Sequence, residues 1–160
     1  NNLSAYGFDL SFFFQFSVGN YVFNNTRSFS EGMNSVFGQA STILNRWTPD
    51  NPTTDTNYPR AVFGDPNNNR RVSDRFLEDA SYLRLKNLSL GYNIPSKVMS
   101  KIGMSNARIY VSGQNLLTFT KYSGFDPEVS TFAETNTAPG TDFLTFPQAR
   151  TMLVGVQLGF

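Results

Sequence analysis

Asp9-Leu10-Ser11-Phe12-Phe13-Phe14-Gln15-Phe16-Ser17-Val18 is the stretch on which the fold turns. Leu10, Phe12, Phe14, Phe16 and Val18 fall on one side of a period-two pattern; Asp9, Ser11, Phe13, Gln15 and Ser17 fall on the other. Successive side chains of a strand point to opposite faces, so residues 8–18 read as a strand with one greasy side and one mostly polar side. Three later segments repeat the pattern. In residues 82–94, Leu88, Leu90 and Tyr92 oppose Asn87, Ser89, Gly91 and Asn93. Leu83 and Leu85 are out of phase with that set, and a bulge near Lys86 would restore the phase. In residues 107–116, Ile109 and Val111 oppose Arg108, Tyr110, Ser112 and Gln114. In residues 150–160, Met152, Val154, Val156, Leu158 and Phe160 oppose Thr151, Leu153, Gly155, Gln157 and Gly159.

Composition supports a chain that meets both grease and water. Aromatic residues make up 15%, while charged residues make up 16% against about 25% in ordinary globular proteins. The net charge of +1 leaves no basic stripe to displace counterions from phosphates, which excludes a nucleic-acid partner. With no Cys and no His, disulfides, thiolate chemistry and the usual general base are absent from the segment, so no cofactor, metal or catalytic residue is expected. Asp65-x-Asn67-x-Asn69 opens like a calcium loop but fails afterwards, with Arg70 in place of Gly and Phe76 in place of the bidentate Glu. The opening residues 1–8 have no basic or apolar region of a signal peptide. No stretch reaches the ~18 apolar residues of a membrane helix, but a membrane strand needs only ~9–11 of alternating character.

The connections are uneven: 19–81 and 117–149 are long, 95–106 is short. Runs such as Thr48-Pro49-Asp50-Asn51-Pro52 and Asp65-Pro66-Asn67-Asn68-Asn69 are turn and loop chemistry. Long loops alternating with a short turn are the pattern of an outer-membrane barrel, which places 19–81 and 117–149 outside the cell and 95–106 in the periplasm. Four strands cannot close a barrel, and an open sheet in lipid would leave on the order of ten unpaired polar groups per edge. The remainder of the barrel is therefore expected before Asn1 or in another chain.

At this point the residues become familiar. Ser81-Tyr82-Leu83-Arg84-Leu85-Lys86-Asn87-Leu88-Ser89-Leu90-Gly91-Tyr92-Asn93-Ile94-Pro95 resembles a hairpin of the SusC/RagA family of TonB-dependent outer-membrane transporters. The run from Gly113-Gln114-Asn115-Leu116 through Tyr122-Ser123-Gly124-Phe125-Asp126-Pro127-Glu128 is similar too, as are Arg46-Trp47-Thr48-Pro49, Tyr58-Pro59-Arg60 and Phe146-Pro147-Gln148-Ala149-Arg150-Thr151. The resemblance runs from about Phe8 to Phe160. It implies an all-β fold, the last four strands of a barrel of about 22, integral to the bacterial outer membrane. It also implies import of oligosaccharides or peptides, a SusD-like surface lipoprotein as lid, and energy from TonB through an N-terminal region not included here. An outer-membrane receptor or adhesin that binds without transport is the competing reading; enzyme activity is not expected.

Two sets of residues stand out. Arg46, Trp47, Tyr58 and Arg60 carry ring faces and guanidinium forks that suit sugar or partner contact, or else pack the long loop against itself. Val154, Val156, Leu158 and Phe160 resemble the terminal signal read by the barrel-insertion machinery, on what is also a plain lipid-facing strand. Asp126-Pro127-Glu128 reads as a loop-shaping element. Arg108 is expected in the lumen or at the periplasmic rim.

Overall fold

The computed structural model describes residues 1–34, 36, 38–54, 58–132 and 138–160. Its elements run β1 (Asn2–Ala5), β2 (Phe8–Ser17), β3 (Tyr21–Asn24), α1 (Asn25–Ser30), β4 (Leu77–Asp79), β5 (Tyr82–Asn93), α2 (Ser96–Met99), β6 (Asn106–Thr120), β7 (Thr141–Asp142) and β8 (Thr151–Gly159). Short 3-10 turns occupy Ser41–Asn45, Asp74–Phe76 and Ser100–Ile102. Two compact units result. One comprises Asn1–Val18, Ser81–Lys121 and Pro147–Phe160; the other comprises Gly19–Ala80 and Tyr122–Phe146. Among the described residues no helix is long and apolar enough to cross a membrane.

The first unit is a five-stranded antiparallel sheet in the order β1-β2-β5-β6-β8. Its registers line up whole rungs of like character. Leu3, Leu10, Leu90, Val111 and Val154 form one rung; Ala5, Phe8, Tyr92, Ile109 and Val156 form another on the same face. Between them, on the opposite face, lie Ser4, Asp9, Gly91, Tyr110 and Gly155. Most of the apolar face is exposed: Phe16 is 70% exposed and Val154 73%, with Leu85 the buried exception. A continuous open apolar face of this kind marks a surface that meets something other than water. The outer edges of β1 and β8 have no strand partner among the described residues.

The phase slip resolves at Lys86. Phe13 and Phe14 of β2 face Asn87 and Leu85, so Lys86 is the extra residue. Opposite Lys86, β6 in turn carries two residues, Asn115 and Leu116, between the partners of Asn87 and Leu85. Asn115 takes φ +52, a left-handed conformation that Asn tolerates through its short polar side chain, and its amide donates to the Ala149 carbonyl at 3.1 Å. The Lys86 bulge shifts the phase of β5 by one residue and returns Leu83 and Leu85 to the apolar face, while Leu117 and Phe119 of β6 keep the phase of Ile109 and Val111.

Two expectations are corrected here. The strand read as 107–116 runs on to Thr120: Leu117 and Phe119 continue the row of Ile109 and Val111, but Gly113 and Asn115 leave two gaps in it. A fifth strand, β1, was missed. It is tied to β2 by the two-residue turn Tyr6-Gly7, both at positive φ (+52 and +86), which is the twist a tight hairpin requires. Only Leu3 and Ala5 supply its apolar positions, too few to show a period.

The second unit shows that the long connections are not bare loops. β3 pairs antiparallel with β4 and parallel with β7. The centre is Phe76, fully buried and set edge-to-face against Phe23 at 6.3 Å. Val22, Ala80 and Tyr122 form a small buried cluster.

Candidate functional site

The sequence-derived quartet meets only in part. Past the 3-10 turn Ser41–Asn45, Arg46 turns its guanidinium back to the Ile43 carbonyl (3.3 Å), which occupies one of its donors. Trp47 N–H donates to the Tyr58 carbonyl at 3.2 Å, and the Arg60 guanidinium sits 5.5 Å from the centre of the Trp47 ring. The intervening Thr48–Asn51 turn closes on itself, with the Thr48 and Asn51 backbones bonded both ways at 3.1 and 3.2 Å. Trp47, Tyr58 and Arg60 are thus gathered on one loop, half-buried to exposed, as a stacking ring with a cation beside it.

A second constellation carries the strongest electrostatics, and sequence reasoning did not find it. Arg27 on α1 bonds Glu31 (3.0 Å) one turn later and Glu78 on β4 (2.9 Å). Arg75 reaches Glu31 at 3.8 Å. Glu31 also accepts from Thr42 (2.9 Å), and Glu78 accepts from both the N–H and the hydroxyl of Ser123 at 2.9 Å. Burial alone would push the Glu78 carboxyl up. Hydrogen bonds from Ser123 and Arg27 outweigh it and hold the carboxyl below its ordinary range. Burial likewise opposes the charge on Arg27, yet Glu78 and Glu31 keep its guanidinium above its usual value. Arg75 is pulled down, mainly by burial. Tyr122 is raised strongly, first by burial and then because its hydroxyl donates to Asp142 at 2.7 Å. Arg27 and Glu31 are an i,i+4 pair, but Glu78 meets Arg27 and Ser123 across 51 and 45 residues, so no local spacing announced the network.

Two other motifs resolve into scaffolding. The Asp65 carboxylate accepts the N–H groups of Asn69 and Arg70 (2.8 and 2.9 Å), closing the turn that a calcium reading would have opened to an ion. Buried Asp126 accepts the Glu128 N–H at 3.0 Å, a loop-shaping contact across Pro127. The residues that follow the Asp65 turn line a polar cleft of about 460 Å3, including Asn67, Asn68, Asn69, Arg71, Asp74 and Arg75. In the sheet, Arg108 stands on the polar face. Its Nε donates to Asp9 at 3.0 Å, its Nη2 pairs with the other carboxylate oxygen, and its guanidinium lies 5.0 Å from the Tyr110 ring centre. Val154, Val156 and Leu158 lie on the exposed apolar face of β8, and Phe160 follows it, also exposed.

No protein-family model matches the chain. It is 39% identical over 164 residues to TonB-dependent receptor P3 of Formosa agariphila, covering all of this chain and 16% of that protein. TonB-dependent receptor SusC of Bacteroides thetaiotaomicron is 30% identical over 155 residues, covering 96% of this chain. In the solved structure of the RagAB peptide transporter, a chain with 34% identity superposes on 96% of this chain with a TM-score of 0.78. The chain belongs to the SusC/RagA family of TonB-dependent receptors. It spans about one-sixth of the length of the relatives it matches (16% of the receptor P3). Placed in that family, the five-stranded sheet is a stretch of antiparallel β-barrel wall.

Proposed function

We propose that this chain is the C-terminal wall, with its external loops, of an outer-membrane transporter that imports oligosaccharides or peptides together with a SusD-like lipoprotein, powered by TonB. The observation that carries the reading is the largely exposed apolar face across β1, β2, β5, β6 and β8, opposed by a mostly polar face. Lipid on one side and a wet lumen on the other is the environment that this two-faced sheet satisfies. The relatives named as receptors and as a peptide transporter support transport rather than catalysis. In this reading the unit of residues 19–80 and 122–146 is extracellular and residues 95–106 turn in the periplasm. The strand ending in Val154, Val156, Leu158 and Phe160 doubles as the assembly signal.

Within the external unit, Trp47, Arg60, Tyr58 and Arg46 contact the ligand or the lid. Truncating Trp47 to Ala removes roughly 1 kcal/mol of stacking, about fivefold in affinity, with barrel insertion unchanged. The test of transport is accumulation of labelled oligosaccharide or peptide in cells with the receptor present or deleted, and with or without TonB. Import that vanishes with either deletion supports the reading. Surface binding that survives loss of TonB, without accumulation in any strain, supports the receptor or adhesin reading instead.

A further inference from the structure

The cleft after the Asp65 turn has a volume of about 460 Å3, comparable to a small-ligand site, and every residue lining it is polar or charged. The amides of Asn67, Asn68 and Asn69, the Ser73 hydroxyl and the Arg71 guanidinium all line it. Among the described residues, none of these side chains has a hydrogen-bond partner. Arg75 lines the same cleft with only 10% of its side chain exposed. Its Nη1 donates to the Asn69 carbonyl at a long 3.4 Å, and its Nη2 lies 3.8 Å from Glu31, beyond hydrogen-bond distance. The buried Nε and Nη2 have no acceptor among the described residues. Glu31 is moreover shared, since it also bonds Arg27 and Thr42. Glu78 and Glu31 more than offset the desolvation of Arg27, whereas burial prevails at Arg75. A buried cation with donors to spare gains from any anionic acceptor that reaches it.

The chemistry of the lining narrows the class of ligand. Two guanidiniums, Arg71 and Arg75, stand against one carboxylate, Asp74. A guanidinium fork matches a planar carboxylate, while amides and hydroxyls both donate to and accept from hydroxyl groups. We infer that this cleft binds the carboxylate of an acidic sugar residue, with Arg71 and Arg75 on the carboxylate and the Asn67, Asn68 and Asn69 amides and Ser73 on the neighbouring hydroxyls. The Asp65 carboxylate, by accepting the Asn69 and Arg70 N–H groups, fixes this run of amides before the ligand arrives. The inference deepens the transporter reading by naming a ligand class, and rests on it for the loop unit facing outward.

Binding to the full-length receptor in detergent, read by titration calorimetry, tests it. Heat-modifiable migration confirms the folded barrel. Because binding is read without transport, a receptor that binds but does not import fails the transport reading alone. The probes are galacturonate and guluronate tetramers, the neutral maltotetraose, and tetraglutamate. At least one uronate tetramer is expected to bind about tenfold more tightly than maltotetraose and tetraglutamate, and to weaken as salt rises. Arg75 also contacts Glu31, so the variants are placed at the exposed positions. R71Q is expected to weaken uronate binding about tenfold, and D74N to strengthen it about threefold. Equal affinity for the uronate and neutral tetramers overturns the inference, as does uronate binding that R71Q leaves unchanged. Tetraglutamate bound as tightly as the uronates overturns the assignment to a sugar.

Discussion

The two units of this chain place their apolar side chains in opposite ways. In the sheet, strands of 9 to 15 residues (β2, β5, β6, β8) leave most of their Leu, Val and Phe exposed on one face. In the loop unit, strands of 2 to 4 residues bury Phe76, Val22 and Ala80 and gather their charges into a partly buried network. The first arrangement needs a cover other than water; the second is an ordinary small aqueous core. One polypeptide segment therefore follows two solvent rules, and the boundaries between them fall near Val18, Ser81, Lys121 and Pro147.

The largest test of that contrast is Phe76→Ala. Emptying the only large, fully buried site among the described residues is expected to destabilise the loop unit by about 3–5 kcal/mol. Hydrogen exchange in the full-length receptor should show residues 19–80 losing protection while β2, β5, β6 and β8 keep theirs. Loss of protection in both regions would mean that the two units do not fold independently.

Next comes Leu90→Arg against Ser89→Arg. Leu90 lies on an apolar rung and its neighbour Ser89 on the opposite face. A charge on the lipid side costs about 2–4 kcal/mol near the bilayer centre, while the lumen side tolerates it. Denaturant unfolding of the reconstituted receptor should separate the two variants by that amount; equal effects would invalidate the facing.

The charge network supplies a smaller, pH-dependent effect. The Glu78 carboxyl is held below its ordinary value near 4.5 in the folded state. Its stabilisation is therefore complete above that value and is lost as pH falls through the folded pKa. Protection of the loop unit, followed by exchange from pH 6 downward, should weaken below about pH 4.5, and Glu78→Gln should remove that acid dependence. The same variant should lower stability at pH 7 by about 1.5–3 kcal/mol, because charged hydrogen bonds from Arg27 and Ser123 are weakened.

The smallest change is Gly155→Ala. The Tyr110 ring lies across Gly155 where a Cβ would stand, in contact through its Cζ. The half-exposed ring can swing aside, so the expected cost is about 1 kcal/mol, at the low end of overpacking, read as a small shift in the unfolding midpoint. A shift as large as that of Leu90→Arg would show that the ring is fixed by more than this strand.

Much of the sheet was legible in the residues. Period-two alternation survives in β2 and β8 because each is uninterrupted, and it broke in β5 at Lys86, where the bulge lies. It failed where the local signal is thin: β1 offers Leu3 and Ala5 alone, and Gly113 and Asn115 interrupt the apolar row before the last residues of β6. The candidate site was less legible. Trp47, Tyr58 and Arg60 drew notice by residue type, and the structure gathers them. The Arg27–Glu31–Glu78–Ser123 network did not, since its members look like scattered loop charges until β3 pairs with β4 and β7.

What the sequence determined by itself was the two-faced character of the strands and the residues that form each face, because side-chain alternation is a local property of extended backbone. What only the tertiary structure decided was register, the bulges and the assembly of the long connections into a core with its own ion-pair network. Those depend on contacts between residues tens of positions apart, as when the Leu144 N–H meets Thr26 across 118 residues, and no short window of sequence contains both partners.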